Sequence, residues 1–356
     1  MSGAATPAIA EARRQAEICN ACRYCEGYCS VFPAMFSTRT FADGDIVALA
    51  NLCHDCRGCY YACQYAPPHA FALNLPHALA EVRAESWRRH AWPAGLARLF
   101  QRNGVALVAA LVLGVAGMFW AMTALRPAGG AGFYAVLPHG AMVAIFTPLF
   151  VLPLLAVALG LSRYWREVGG TRVRLAHLAA AARSAVRLDN LSGGHGEGCN
   201  YEAGDRFTNT RRIAHQATAG GFLLCFGATA AGTIYHYAFG WPAPYPLLSL
   251  PKLLGVPGGA LLTLGALALG LLKTRADPAL GAPDLWDGEV AFVLTLALTG
   301  LSGLMLYGAT GTPLVPMILA LHLGAVAAFF VTAPYSKMAH AFYRFAALVR
   351  EAQRRG

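Results

Sequence analysis

Eight of the ten cysteines fall into two copies of one pattern, Cys19-x2-Cys22-x2-Cys25-x3-Cys29 and Cys53-x2-Cys56-x2-Cys59-x3-Cys63. Thiolates are soft ligands for iron, and this is the spacing of two-cluster iron–sulfur chains, in which the fourth cysteine of each run ligates the other cluster. The spacing therefore predicts two [4Fe-4S] clusters. Cys19, Cys22, Cys25 and Cys63 would hold one, and Cys53, Cys56, Cys59 and Cys29 the other. Tandem zinc sites are the rival, but these usually show two cysteine pairs across a longer loop, without a further cysteine three residues on. A disulfide framework is disfavoured by the regular spacing and by an N-terminal stretch, MSGAATPAIAEARRQAE, without the apolar region of an export signal. One departure stands out: Ser30 and Gln64 occupy the places where proline normally follows the fourth cysteine.

Four histidines form a second constellation. Ionisable groups within apolar spans are costly and are functional candidates by default. His215 and His236 bracket one apolar stretch, and His322 and His340 bracket another. His322 and His340 are eighteen residues apart, five turns at 3.6 residues each, which predicts one shared helix face. His215 and His236 are twenty-one apart and fall within about 60° of one face by the same geometry. Two antiparallel helices would then present His215/His340 at one depth and His236/His322 at another, a scaffold for bis-histidine b haem at two levels. The alternative is that these side chains anchor helices at the membrane interface. His139 reads as a headgroup anchor or a quinone contact. His54, His69, His77, His90 and His177 read as ordinary histidines, although His54 adjoins Cys53 and could tune a cluster.

These groups need a scaffold, and the composition says which. The chain of 356 residues is 56% hydrophobic and 13% charged, where a soluble domain carries about a quarter charged residues. Six apolar stretches, at 104–125, 139–161, 213–239, 253–272, 290–307 and 314–332, are each near the ~20 residues a helix needs to cross hydrocarbon. The expected fold is all-α: a helical two-cluster ferredoxin-like domain at 1–102, a six-helix membrane domain at 103–340 with a loop at about 163–212, and a basic tail at 341–356. The helical-looking flanks of the cysteine runs, such as IVALANLCHDC, support that form of the first domain.

Net charge is +10, and its placement gives an orientation. Arg83, Arg88, Arg89, Arg98 and Arg102 precede the first span. The 163–212 loop holds nine arginines from Arg163 to Arg212, and the tail adds Lys337, Arg344, Arg350, Arg354 and Arg355. The opposite loops hold only Arg126 and Lys252. By the positive-inside rule both termini face the cytoplasm of a bacterial inner membrane, with His215 and His340 on the inner side. The basic residues flank apolar spans and form no stripe on one helix, which disfavours nucleic-acid binding. Cys199 and His195 lie in an irregular Gly-rich loop and could bind metal, contact a partner or simply belong to an ordered turn; Cys225 reads as a packing residue.

The stretch His322-x17-His340, with Pro334-Tyr335-Ser336-Lys337-x-x-His340, resembles the haem-binding helix of the nitrate reductase gamma subunit. Nearly the whole chain is similar to the tricarballylate or citrate utilisation protein B family. The resemblance is carried by the tandem cysteines, GGHGEGCNY, Arg211-Arg212-x-x-His215, Tyr235-His236-Tyr237, Ala243-Pro244-Tyr245-Pro246 and the PYSK-x-x-His340 segment. It implies a cytosolic partner, an FAD-dependent tricarballylate dehydrogenase, whose reduced flavin this chain would reoxidise, delivering electrons to membrane quinone. No GxGxxG follows a strand pattern, so substrate oxidation is expected on another polypeptide. The other readings are an iron–sulfur and cytochrome b subunit of a different quinone-linked dehydrogenase or disulfide reductase, and a membrane redox sensor with structural histidines.

Overall fold

The computed structural model describes residues 5–124, 137–191 and 197–355, so Arg126 and His195 lie outside the described residues. Among these residues the regular structure is helical, and β pairing is limited to isolated bridges at Cys199–Thr208 and Glu202–Ala276. The expected all-α class holds.

Five helices build the N-terminal unit: α1 (Pro7–Cys22), α2 (Val31–Phe36), α3 (Asp43–Leu52), α4 (Gly58–Tyr61) and α5 (Leu75–His90). Thr6 starts α1, its hydroxyl accepting the Ile9 amide at 3.4 Å, with Pro7 at the first helical position. Asn74 caps α5 by accepting the His77 amide at 3.2 Å. Ile9, Ala12 and Ala16 recur at helical spacing and face Ile46 and Leu49 of α3 and Leu79 and Val82 of α5. Asn51 locks this core at its polar centre. Its Nδ2 donates to Val47 O at 3.0 Å and to Ser86 Oγ at 3.1 Å, and its Oδ1 accepts the Trp87 indole N–H at 2.9 Å. Asn51→Leu strands the buried Trp87 indole donor, which should cost about 1–3 kcal/mol. A lowered melting temperature in a thermal-shift assay would show this; an unchanged melting curve would remove Asn51 from the list of domain locks.

Six helices are long and apolar enough to cross a membrane: α6 (Ala94–Ala124), α7 (His139–Glu167), α9 (Thr210–Phe239), α10 (Leu250–Thr274), α11 (Trp286–Gly308) and α12 (Val315–Thr332). They coincide with the six apolar stretches of the sequence. Helix α6 begins before its stretch and turns at Asn103, whose φ of −135° and ψ of 31° are not helical. The first arm, Ala94 to Arg102, is thus set off from the apolar arm. Helices α9 and α10 meet almost backbone to backbone. A Cβ on Gly221 would lie 2.8 Å from Gly258 O, and one on Gly258 would lie 2.8 Å from Leu224 Cβ. Small residues at such a seam let helices associate in lipid by van der Waals contact. Helix α9 makes almost no backbone approach to α12; Phe222 and Phe329 span the gap with ring centroids 5.4 Å apart. Phe150 and Phe330 extend this aromatic layer at 5.3 Å.

Two further helices tie the units together: α8 (Leu175–Arg187) and α13 (Ala339–Arg355). The segment expected as a basic tail is an ordered amphipathic helix. It buries Tyr343, Ala346 and Ala347 against the N-terminal core, while Arg354 pairs with Asp45 of α3 and Arg350 Nε donates to Val168 O at 3.2 Å. The end of α5 meets the end of α7 through ion pairs of Arg89 and His90 with Glu167.

Candidate functional site

The eight cysteines of the two runs come together at one end of the N-terminal unit, with Cys63 of the second run beside Cys19 and Cys25 of the first, and Cys29 of the first beside Cys53 and Cys56 of the second. Cys19 and Cys22 share a face of the last turn of α1, and Arg23, in the left-handed region at φ 57°, turns the chain by donating its amide to Cys19 O at 2.9 Å. This brings Cys25 back toward Cys19, and the second run supplies Cys63. Burial pushes the Cys19 thiol up to about 12, and the neighbouring Cys25, Cys63 and Cys22 push the same way. These four side chains line one cavity together with Cys59, Phe32 and Leu75.

The second quartet forms around Cys56. Burial first, then Cys53, pushes Cys56 up to about 12. Cys29 is raised by burial and by Cys56 and Cys53, and Cys59 by burial and by Cys56, Cys53 and Cys29. Cys59 also feels Cys25, so the two quartets adjoin. Asp55 and Arg57, at φ 54° and 66°, flank Cys56 in the left-handed region. The Asp55 amide donates to Cys53 Sγ at 3.4 Å. Backbone amides turned inward in this way form the anion-favouring concavities found at iron–sulfur sites.

The donor set fits iron–sulfur clusters. Burial raises the thiols of Cys19, Cys25, Cys29, Cys56 and Cys59, and such thiols become good ligands only when a cation lets them deprotonate. All ten cysteines are unbridged. Among the described residues no three His, Cys, Asp or Glu side chains converge on a single-ion site; a cubane spreads its ligands, one thiolate to each iron. Beside Cys29, Asn190 Oδ1 accepts the Ser30 amide at 2.8 Å. Asn190 Nδ2 and Ser30 Oγ are buried there without partners, as donors that a sulfide could satisfy.

The loop whose role the sequence left open covers the second quartet. The Asn200 amide donates to Cys56 O at 2.8 Å. Arg57 donates to Tyr201 O at 3.2 Å and to Asp277 O at 3.0 Å. The Tyr201 ring takes both guanidinium groups, Arg211 at 3.9 Å and Arg57 at 4.7 Å. Cys199 is fully buried among Cys56, Tyr201, Ala214 and Leu272, which is the ordered turn with a buried thiol.

Beneath this loop lies the inner histidine pair. His215 is in the second turn of α9 and His340 in the first turn of α13, with ring centroids 6.0 Å apart at 83°. Each has an arginine one turn away that reaches the cysteine loop: Arg211 donates to Asp55 O at 2.7 Å, and Arg344 donates to Cys53 O at 2.7 Å. Arg83 donates to the same Cys53 carbonyl at 2.9 Å. His340 Nδ1 is hydrogen-bonded to Lys337 O. With the proton on Nδ1, that bond leaves Nε2 as the acceptor, the arrangement second-sphere carbonyls give to metal-binding histidines. His215 Nδ1 is buried without a partner.

The second expected pair is His236 and His322. His236 stacks on His139 with centroids 3.9 Å apart at 15°. His322 meets Ser302 Oγ through Nδ1 at 3.0 Å and lies against Gly303. The shared helix face expected for His322 and His340 is absent. Helix α12 ends at Thr332, and a turn precedes α13, because Pro334 has no amide to continue the helical hydrogen bonds. Lys337 in that turn is held by Glu289 at 2.7 Å, which also pairs with Lys273.

His54 was read as ordinary and is better placed than that. It is 6% exposed, and burial, then Arg344, with Arg211 and His215 adding to it, holds its ring well below the usual imidazole range. It therefore lies between the second quartet and the inner pair. Its position beside Cys53 was the available signal. Arg211 and Arg344 carried one too, since each lies four residues from a candidate histidine.

Fold and site together define a class: a helical Fer4-like domain joined to a six-helix bundle of membrane-spanning length. A family model described as "Citrate utilization protein B Fer4-like domain" matches residues 12–90, and one described as "Citrate utilization protein B" matches residues 93–356. The chain belongs to the Citrate utilization protein B family. The Citrate utilization protein B of Escherichia coli is 44% identical over 354 residues, covering 98% of this chain and 93% of that protein. No solved structure matches the chain.

Proposed function

We propose that this chain is a membrane electron-transfer protein that reoxidises the reduced FAD of a partner tricarballylate dehydrogenase and passes electrons to membrane quinone. Two [4Fe-4S] clusters and b haem supply the one-electron steps that divide a two-electron flavin oxidation. Cys19, Cys22, Cys25 and Cys63 would hold one cluster, and Cys29, Cys53, Cys56 and Cys59 the other. His215 and His340 would hold the haem through their Nε2 atoms. The observation that carries the reading is the double tie from the histidine helices to the cysteine loop, Arg211 to Asp55 O and Arg344 to Cys53 O. Those two bonds fix the histidine pair in register with the second quartet. The loop from Cys199 to Arg211 keeps water from that junction, and His54 fills the space between.

The partner and its substrate rest on the family resemblance, to which the relative's name adds citrate utilisation. A second b haem would be held by His236 and His322, whose rings here meet His139 and Ser302. In this reading, by the positive-inside rule, the arginine-rich ends favour the cytoplasmic side of a bacterial inner membrane for the cysteine domain and both termini. The test uses inverted membrane vesicles supplied with the purified dehydrogenase, tricarballylate and a water-soluble quinone. Quinone reduction should require vesicles that carry this chain. Equal rates with vesicles lacking it would contradict the reading.

A further inference from the structure

A cavity of about 450 Å³ opens where the corner between α5 and α6 meets the start of α11, lined by Arg88, Arg98, Gln101, Arg102, Asp284 and Trp286 among others. We propose that it binds the phosphate of an anionic membrane lipid with a hydroxylated headgroup. The inference rests on the six helices crossing a membrane and is independent of the electron path.

The charges decide the ligand's sign. Arg98 and Arg102 lie one turn apart on the first arm of α6, and both are exposed. Among the described residues neither has an ion-pair or hydrogen-bond partner, whereas Arg88 pairs with Asp284 at 3.6 Å. That aspartate is itself 73% exposed. The other nearby carboxylate, Asp287, accepts the Val105 amide at 3.1 Å, at the start of the apolar arm of α6. Two guanidinium groups are thus uncommitted, and their planar donors match phosphate oxygens.

The surroundings decide that the phosphate carries a tail. Trp92, Leu96 and Leu99 are exposed on the same corner, and Trp286 is exposed beside the arginines. Tryptophans and arginines together mark the boundary of water and hydrocarbon. An acyl lipid covers Leu96 and Leu99 with its chains while its phosphate meets Arg98 and Arg102; inorganic phosphate does only the second. Gln101 is 4% exposed, and its Oε1 is buried without a hydrogen-bond partner. A headgroup hydroxyl, as in phosphatidylglycerol, supplies the missing donor.

Native mass spectrometry of the full chain in detergent, titrated with phosphatidylglycerol, phosphatidylcholine or inorganic phosphate, tests this. Phosphatidylglycerol should bind in preference to phosphatidylcholine and resist displacement by inorganic phosphate. R98A/R102A should bind it roughly thirtyfold more weakly, the effect of two arginines against an anionic headgroup. R98K/R102K should retain intermediate binding, and unchanged elution and melting would show that both variants fold. Wild-type affinity in R98A/R102A would overturn the proposal. So would equal binding of phosphatidylcholine, or displacement by inorganic phosphate, which would assign the cavity to a free anion.

Discussion

His340→Ala should abolish the b-haem spectrum of the inner pair while leaving iron and acid-labile sulfide at wild-type levels. His340 stands on α13, which packs on the N-terminal unit, and His215 stands on α9 in the bundle. An alanine on either side leaves one axial position empty and one buried imidazole unmatched, so His215→Ala should match it with loss of one haem per chain. Cluster ligands are untouched, because Arg344 and Arg211 still hold the cysteine loop from the same helices. His322→Ala is the control. His322 is hydrogen-bonded to Ser302 on α11 and has no ring contact with the inner pair, so its removal should leave the inner haem in place. Full haem retention in His340→Ala, checked by the pyridine haemochrome spectrum, would refute the pairing.

The second large effect concerns the crossing of the two cysteine runs. Cys63→Ala should remove the same cluster as Cys19→Ala, although the two residues lie in different runs. Cys29→Ala should remove the same cluster as Cys56→Ala. Each substitution should cost about four irons, half of the cluster iron, because one missing thiolate uncaps a four-iron cube. The two losses should be spectroscopically distinct. Only the second quartet lies against the Cys199–Arg211 loop and the inner histidines, so electron paramagnetic resonance of the reduced protein should show a different surviving signal in each pair of variants. Identical spectra from Cys63→Ala and Cys29→Ala would contradict the crossed assignment. Loss of both clusters from every variant would contradict their independence.

The cysteine quartets were legible because ligand spacing in a cubane site is local: x2 gaps wrap one face of a cluster, and the crossing follows from two adjacent runs. The six spans were legible because burial in lipid demands continuous apolar length. The histidines were legible in part. His215 and His340 do come together, but the continuous helix expected to carry His322 and His340 is broken at the turn that holds Pro334. His340 reaches His215 because α13 folds back against α3, α7 and α8, a tertiary event that no periodicity records. The pairing of His236 with His322 meets the same limit of local pattern. Side-chain register on two helices says nothing about which helices are neighbours, and α9 leans on α10 through its glycine seam rather than on α12. The long-range ties of Arg211, Arg344 and Asn200 to the cysteine loop join residues more than 140 positions apart, beyond any local pattern.

The most direct measurement takes iron, acid-labile sulfide, zinc and haem together on one detergent-purified sample of the full chain. The account predicts about eight cluster irons with matching sulfide, no stoichiometric zinc, and at least one b haem per chain. Full clusters without haem would contradict the conduit and leave the inner histidines structural. Zinc in place of iron would contradict it at its first step.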